Sequence, residues 1–139
     1  MITAVDTSVL LDVFLDDPRF GQSSADTLRQ CLREGALQAC PVVWAELRAA
    51  FDDERLFRRT VSTLGVVYAE FSDETASLGG ENWQAYRRNG GKRDRIMADF
   101  LIGAHALRQC GRLLTRDAGF FRGYFVGLTI VEPKLLPLP

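Results

Sequence analysis

Four acids stand where their neighbours are apolar. Asp6 closes the run Ile2–Val5, at the carboxyl end of a short strand. Asp117 follows Leu113-Leu114-Thr115 within two residues and reaches the same edge of a parallel sheet. Glu46 lies inside PVVWAELRAAF, where its helical neighbours at three and four residues are Val42, Val43, Ala49 and Ala50. That spacing puts Glu46 on the packing face of its helix. Asp99 lies inside IMADFLIGAHAL, with Ile96 and Ile102 three residues to either side, and points partly inward. A charge on an apolar face must be paired or bind a metal, because burying it alone is very costly. These four cannot pair with one another, and clustered acids raise each other's pKa. Arg48, Arg95 and Arg116 could each neutralise one of them, which is the purely structural alternative. A cluster offering only oxygen ligands suits a hard divalent cation, Mg²⁺ or Mn²⁺, rather than zinc.

The charge balance points the same way. The chain carries 17 basic and 18 acidic residues, a net charge of -1 that by itself announces no nucleic-acid binder. Setting the four acids aside leaves the remainder at +3. A basic run of Arg87, Arg88, Lys92, Arg93 and Arg95 lies just before Asp99, and Arg116 and Arg122 flank Asp117. A hard metal ringed by arginines suggests phosphate chemistry, with Arg87, Arg88, Lys92, Arg93 and Arg116 as candidate phosphate contacts. Solvation of a loop explains the same run without any ligand.

The elements that must position these residues alternate. Strands are expected at Ile2–Val5, Ala36–Cys40, Val66–Tyr68, Leu113-Leu114 and Leu128–Val131. Helices are expected from Ser8 to Leu15, from a cap at Ser23 or Ser24 to Glu34, from Pro41 to about Phe51, from Asp53 to Leu64, from a Ser72 cap to Arg88, and from Asp94 to Gln109. The last carries an apolar stripe of Ile96, Met97, Phe100, Leu101, Ala104 and Leu107. YRRNGGKRDR, residues 86–95, reads as a surface connection, and Pro133 to Pro139 as an extended end. Strands separated by helices imply a parallel sheet covered on both faces, whose sites lie beyond the carboxyl ends of the strands.

The other acids have ordinary readings: Asp16, Asp17, Asp52, Asp53 and Glu54 in turns or first helical turns, Asp73 and Glu74 at a helix N-terminus, and Asp12, Glu34, Glu70 and Glu81 solvated. His105, the one histidine, is six residues from Asp99 and roughly 240° round the helix, so it reads as structural. Phe120, Phe121, Tyr124 and Phe125 read first as packing, as do Trp44 and Trp83. Neither a dinucleotide fingerprint nor a phosphate-binding loop of the GxxxxGK[ST] type occurs, and Asp6-Thr7-Ser8 lacks the second aspartate of a haloacid-dehalogenase-like phosphatase. Ser8 has no histidine–acid relay nearby in sequence. With 139 residues, 47% of them hydrophobic, one domain is expected, with no membrane span and no signal peptide. Three scattered cysteines, Cys31, Cys40 and Cys110, suit free thiols in a reducing cytoplasm.

VDTSVLLDVF, VVWAELRAAF, ADFLIGAHAL and LLTRDAGFFRGYF together resemble a PIN-domain ribonuclease, specifically a VapC-type toxin of a toxin–antitoxin pair. The resemblance covers almost the whole chain in the family's order, so residues 1–139 read as a single PIN domain. It implies an α/β fold, a three-layer α/β/α sandwich with a mainly parallel central sheet. It implies acidic metal-site positions at Asp6, Glu46, Asp99 and Asp117, with hydroxyl support from Thr7 or Ser8 and from Thr115. It implies metal-dependent endoribonuclease activity with Mg²⁺ or Mn²⁺; the metal is expected to be held mainly by Asp6, Asp99 and Asp117, with Glu46 either binding through water or orienting the attacking water. It further implies a homodimer in the cytoplasm, held inactive by a cognate antitoxin in a hetero-oligomer. The competing expectation is a non-catalytic PIN-like RNA-binding or regulatory module. A metal nuclease acting on DNA or a structured flap is a third, against which the short chain argues.

Overall fold

Short, mostly apolar runs such as ITAV and ALQA suit strands inside a parallel sheet, while VVY, at the sheet edge, buries only Val66. The computed structural model describes residues 1–92 and 95–134. Its elements in chain order are β1 (Ile2–Val5), α1 (Thr7–Phe14), α2 (Gly21–Glu34), β2 (Ala36–Ala39), α3 (Pro41–Arg48) and α4 (Glu54–Thr63). They continue with β3 (Val66–Tyr68), α5 (Asp73–Arg88), α6 (Met97–Gln109), β4 (Arg112–Leu114), α7 (Ala118–Tyr124) and β5 (Ile130–Val131). The strands form one sheet in the order β3-β2-β1-β4-β5, with every pairing parallel. Helices cover both faces, giving the three-layer α/β/α sandwich.

The strand order decides where chemistry can occur. From β1 the chain builds outward through β2 to β3, then returns to place β4 against the other side of β1. The connections leaving β1 and β4 therefore diverge, opening a crevice at the adjacent carboxyl ends of these strands. Val5 pairs with Leu114 in register, and the Asp6 N–H extends the ladder to the Leu114 carbonyl at 2.9 Å.

Five sequence expectations are corrected. Ser23 and Ser24 do not cap α2, which starts at Gly21; both are buried inside it. The Asp17 carboxylate instead takes the N–H groups of Arg19 and Phe20, forming the turn that leads into the helix. Helix α3 ends at Arg48 rather than Phe51, because the backbone tightens there into turns closed by Ala50 and Phe51. The aromatic run after Asp117 forms α7, which the sequence did not suggest as a helix. Buried positions of α6 are Phe100, Ile102, Gly103, Ala104, His105 and Ala106, a broader face than the expected stripe, because α5 and β4 both pack on this helix. Ile96 precedes the helix and is exposed. Arg93, Asp94 and residues 135–139 lie outside the described residues, as does the end of the Pro-rich tail; α6 starts at Met97 after an extended Ile96, not at Asp94 as expected.

The packing reading of the aromatics is borne out for Phe120, Phe121 and Phe125, all buried, whereas Tyr124 is exposed at the edge of their cluster. Phe125 lies so close to α6 that a Cβ on Gly103 would sit 2.3 Å from its ring. Gly103→Ala is therefore expected to force the ring or the helix to shift and to destabilise the fold by about 1–3 kcal/mol. Denaturant unfolding would measure this as a lower midpoint at an unchanged slope.

Cys31 and Cys40 are buried and Cys110 half-buried, all as free thiols. Burial pushes the Cys40 thiol up to about 11 and the Cys110 thiol to about 12, which keeps both protonated and unreactive near neutrality. His105 is buried against Phe71 and the Cys110 sulfur, and burial lowers its pKa. Its structural role agrees with the sequence reading. Among the described residues no helix is long and apolar enough to cross a membrane.

Candidate metal centre

At the β1–β4 crevice the two strand ends hold each other. Asp6 leaves β1 in an extended conformation and caps α1, accepting the Thr7 N–H at 2.8 Å through Oδ1. Its Oδ2 accepts the Thr115 hydroxyl at 2.8 Å, and Thr115 Oγ1 in turn accepts the Asp117 N–H at 3.0 Å. Thr115 is fully buried, so one hydroxyl fixes the Asp6 carboxylate to the turn that carries Asp117. Two helices complete the site. The Thr7 hydroxyl reaches across to Glu46 Oε1 of α3 at 2.8 Å, and Asp99, in the first turn of α6, accepts the Ile96 N–H at 3.1 Å.

All four acids line one open cleft of about 580 Å³, together with Thr7, Ser8, Leu11, Ile96, Arg116 and others. The sequence expectation for Glu46 needs correction: it is exposed, because α3 buries only Val43 and Leu47. Glu46 thus faces the cleft from a wet surface, not from a packing face.

Of the three arginines that could have neutralised one of these four acids, only Arg95 does so. It pairs with Asp117 Oδ2 while lying 4.1 Å from the Phe120 ring centroid. Arg48 pairs instead with Glu54, and Arg116 with Asp12. Among the described residues no ion pair within 4.0 Å reaches Asp6, Glu46 or Asp99. The Asp6 pKa is raised: burial is the main cause, Asp99 and Glu46 add to it, and the bonds from Thr115 and Thr7 offset part of it.

A cluster of oxygen donors left short of positive charge fits a hard divalent cation in its chemistry. The side chains are not gathered into a ready cage: among the described residues no three Asp, Glu, His or Cys groups are placed to hold an ion together. Each acid rests on a protein donor instead. A cation here would need the carboxylates drawn closer together and would share the Asp117 carboxylate with Arg95, which takes its Oδ2. Arg95→Gln is accordingly expected to tighten Mn²⁺ binding several-fold, measured by calorimetry, since a partly exposed pair worth about 0–1 kcal/mol no longer competes.

The remaining expected contacts divide. Arg116 is in the cleft wall. Arg87 and Lys92 are not; they line a separate pocket of about 340 Å³ with Trp83, Tyr86, Gly91 and Arg95. Arg88 is exposed on the outer surface of α5 beside Gln84, and Arg93 lies outside the described residues. Sequence reasoning missed Asp12, read as solvated. It is buried on α1, and its partners Ser24 and Arg116 are 12 and 104 residues away, so no local signal could have found them.

The PIN-domain family matches residues 3–126, nine-tenths of the chain, and the chain belongs to that family. Its structure is similar to a chain of VapBC2 from Rickettsia felis bound to a DNA fragment from their promoter (TM-score 0.74, 18% identity, covering 96% of this chain and 100% of that one). It is similar also to VapBC-1 from nontypeable Haemophilus influenzae (0.72, 20%, 95% and 98%) and to DNA-bound VapBC from Salmonella typhimurium (0.72, 14%, 96% and 99%). At these identities the likeness is one of fold. No curated protein matches the sequence.

Proposed function

We propose that this single-domain protein is a metal-dependent endoribonuclease and the toxin of a toxin–antitoxin pair, restrained by a cognate antitoxin. The observation that carries the catalytic part is the convergence of Asp6, Glu46, Asp99 and Asp117 on one cleft at the strand switch point. The toxin role is supported by the fold's likeness to chains from toxin–antitoxin assemblies. A homodimer, further assembled with antitoxin in the cytoplasm, belongs to the same proposal.

In this reading Asp6, Asp99 and Asp117 would hold Mg²⁺ or Mn²⁺, which when bound would supply positive charge for the scissile phosphate and lower the pKa of a water. Thr115 keeps the Asp6 carboxylate aimed into the cleft. Glu46, steadied by the Thr7 hydroxyl, accepts the proton of the attacking water. In-line attack leaves a 5′-phosphate and a 3′-hydroxyl. Arg116 contacts phosphate at the cleft, and Arg87, Lys92 and Arg88 extend a basic surface beyond it.

The Arg95–Asp117 pair favours one other reading, a binding module that uses the cleft only by occupancy. Purified protein incubated with total cellular RNA in Mn²⁺ or in EDTA separates the two. Discrete fragments that need metal support the nuclease; intact RNA with metal binding also absent supports the module.

A further inference from the structure

Two arginines bear on the cleft, Arg116 from its wall and Arg95 through its bond to Asp117, and their partners give them different duties. Arg95 is bound to Asp117, a proposed metal ligand, so it shares that carboxylate with any bound cation. Arg116 is bound to Asp12, which stands outside the acid cluster. Its Nη2 donates to Asp12 Oδ1 at 3.0 Å and its Nε lies 3.0 Å from Oδ2, a fork made of one hydrogen bond and one close charge contact. Asp12 is only 3% exposed and is itself fixed by the Ser24 hydroxyl at 2.9 Å. The guanidinium lies 4.0 Å from the Phe20 ring centroid. Its backbone sits between Thr115 and Asp117, the two residues that close the site. Asp12 accepts one of the five N–H groups a guanidinium carries and lies against a second. Among the described residues no other hydrogen-bond acceptor takes the rest, and Arg116 forms part of the cleft wall.

We infer that Asp12 and Phe20 hold Arg116 as a fixed donor to the scissile phosphate, with Asp12 as a positioning residue. The inference rests on the nuclease reading and deepens it. The Asp12–Arg116 pair is close to neutral, so it adds little to the long-range attraction of RNA. What it adds is direction: N–H groups already aimed where phosphate charge grows, with no reorganisation at the moment of reaction. Orientation and charge can therefore be separated by mutation.

Arg116→Lys keeps the charge but has no fork to lay on Asp12. Asp12→Asn makes the rim one unit more positive while loosening the fork. Both are expected to lower kcat by about 10²-fold, the scale of losing one preorganised donor. Both should leave affinity for a fluorescent single-stranded oligoribonucleotide, measured in Ca²⁺, unchanged or tighter. Arg116→Gln should lower both quantities and reduce the log–log salt slope of binding by about 0.7. Wild-type kcat in Arg116→Lys overturns the inference, as does an Asp12→Asn variant that loses kcat and affinity together in step with its melting temperature. Should Asp12→Asn not fold, Arg116→Lys decides alone. If the wild type cleaves no RNA with metal, the nuclease reading fails separately. The inferred phosphate contact is then decided by binding: weaker binding by Arg116→Gln supports it, and unchanged binding overturns it.

Discussion

Asp6→Asn is expected to lower metal-dependent RNA cleavage by about 10³-fold or more, the scale of removing a group that acts on the transition state. The fold should survive it. Burial and the neighbouring Asp99 and Glu46 raise the Asp6 pKa, so the native state favours its protonated form. For an acid raised in this way, stability is lost as pH climbs from the unfolded pKa through the folded one. At neutral pH the carboxylate thus weakens the metal-free fold, and asparagine removes that charge. Against this gain, asparagine still accepts from the Thr7 N–H but presents an amide to Thr115, leaving the threonine proton without its acceptor, a loss of about 1 kcal/mol. The two effects oppose each other, and the melting temperature in EDTA should stay within a few degrees of wild type. A variant that cleaves RNA at the wild-type rate would remove Asp6 from the metal site. One that unfolds would shift the role of Asp6 to stability.

The second large effect is on stability. Mn²⁺ at a hundred times its Kd should add about 2.7 kcal/mol to folding, because it binds the native cluster and not the unfolded chain. For a domain of this size that raises the melting temperature by about 8–12 °C, and EDTA should reverse the rise. Asp99→Asn should shrink the shift, since it removes a ligand without touching the β1–β4 hydrogen bonds. The metal-linked shift also serves as a control independent of catalysis. A wild type that shows no shift with either Mn²⁺ or Mg²⁺ leaves the cleft without a cation and favours the occupancy module.

Much of the site was legible along the chain because two of its acids close strands. Asp6 and Asp117 follow apolar runs, and a parallel sheet leaves little choice over which edge such residues reach. Glu46 was misplaced for a physical reason. Helix α3 has eight residues, so Ala49 and Ala50 fall beyond it, and only Val43 and Leu47 are buried, with Val42 and Trp44 half-buried beside them. A short helix buries a narrow stripe, and neighbours three and four residues away need not share it. Helix α7 was missed because its aromatics read as packing, and its two glycines and seven residues give little helical signal.

The sequence by itself determined the alternation of strands and helices and the parallel sheet they imply, because these follow from local apolar patterning, and it put Asp6 and Asp117 at one edge of that sheet. Only the tertiary structure decided which charges meet. Arg95 rests on Asp117, Arg116 on a buried Asp12 and not on one of the four acids, and Arg87 with Lys92 outside the cleft. The reason is that an ion pair requires two long side chains to share one desolvated place. The sheet order, which returns β4 to the side of β1, makes neighbours of residues 104 positions apart.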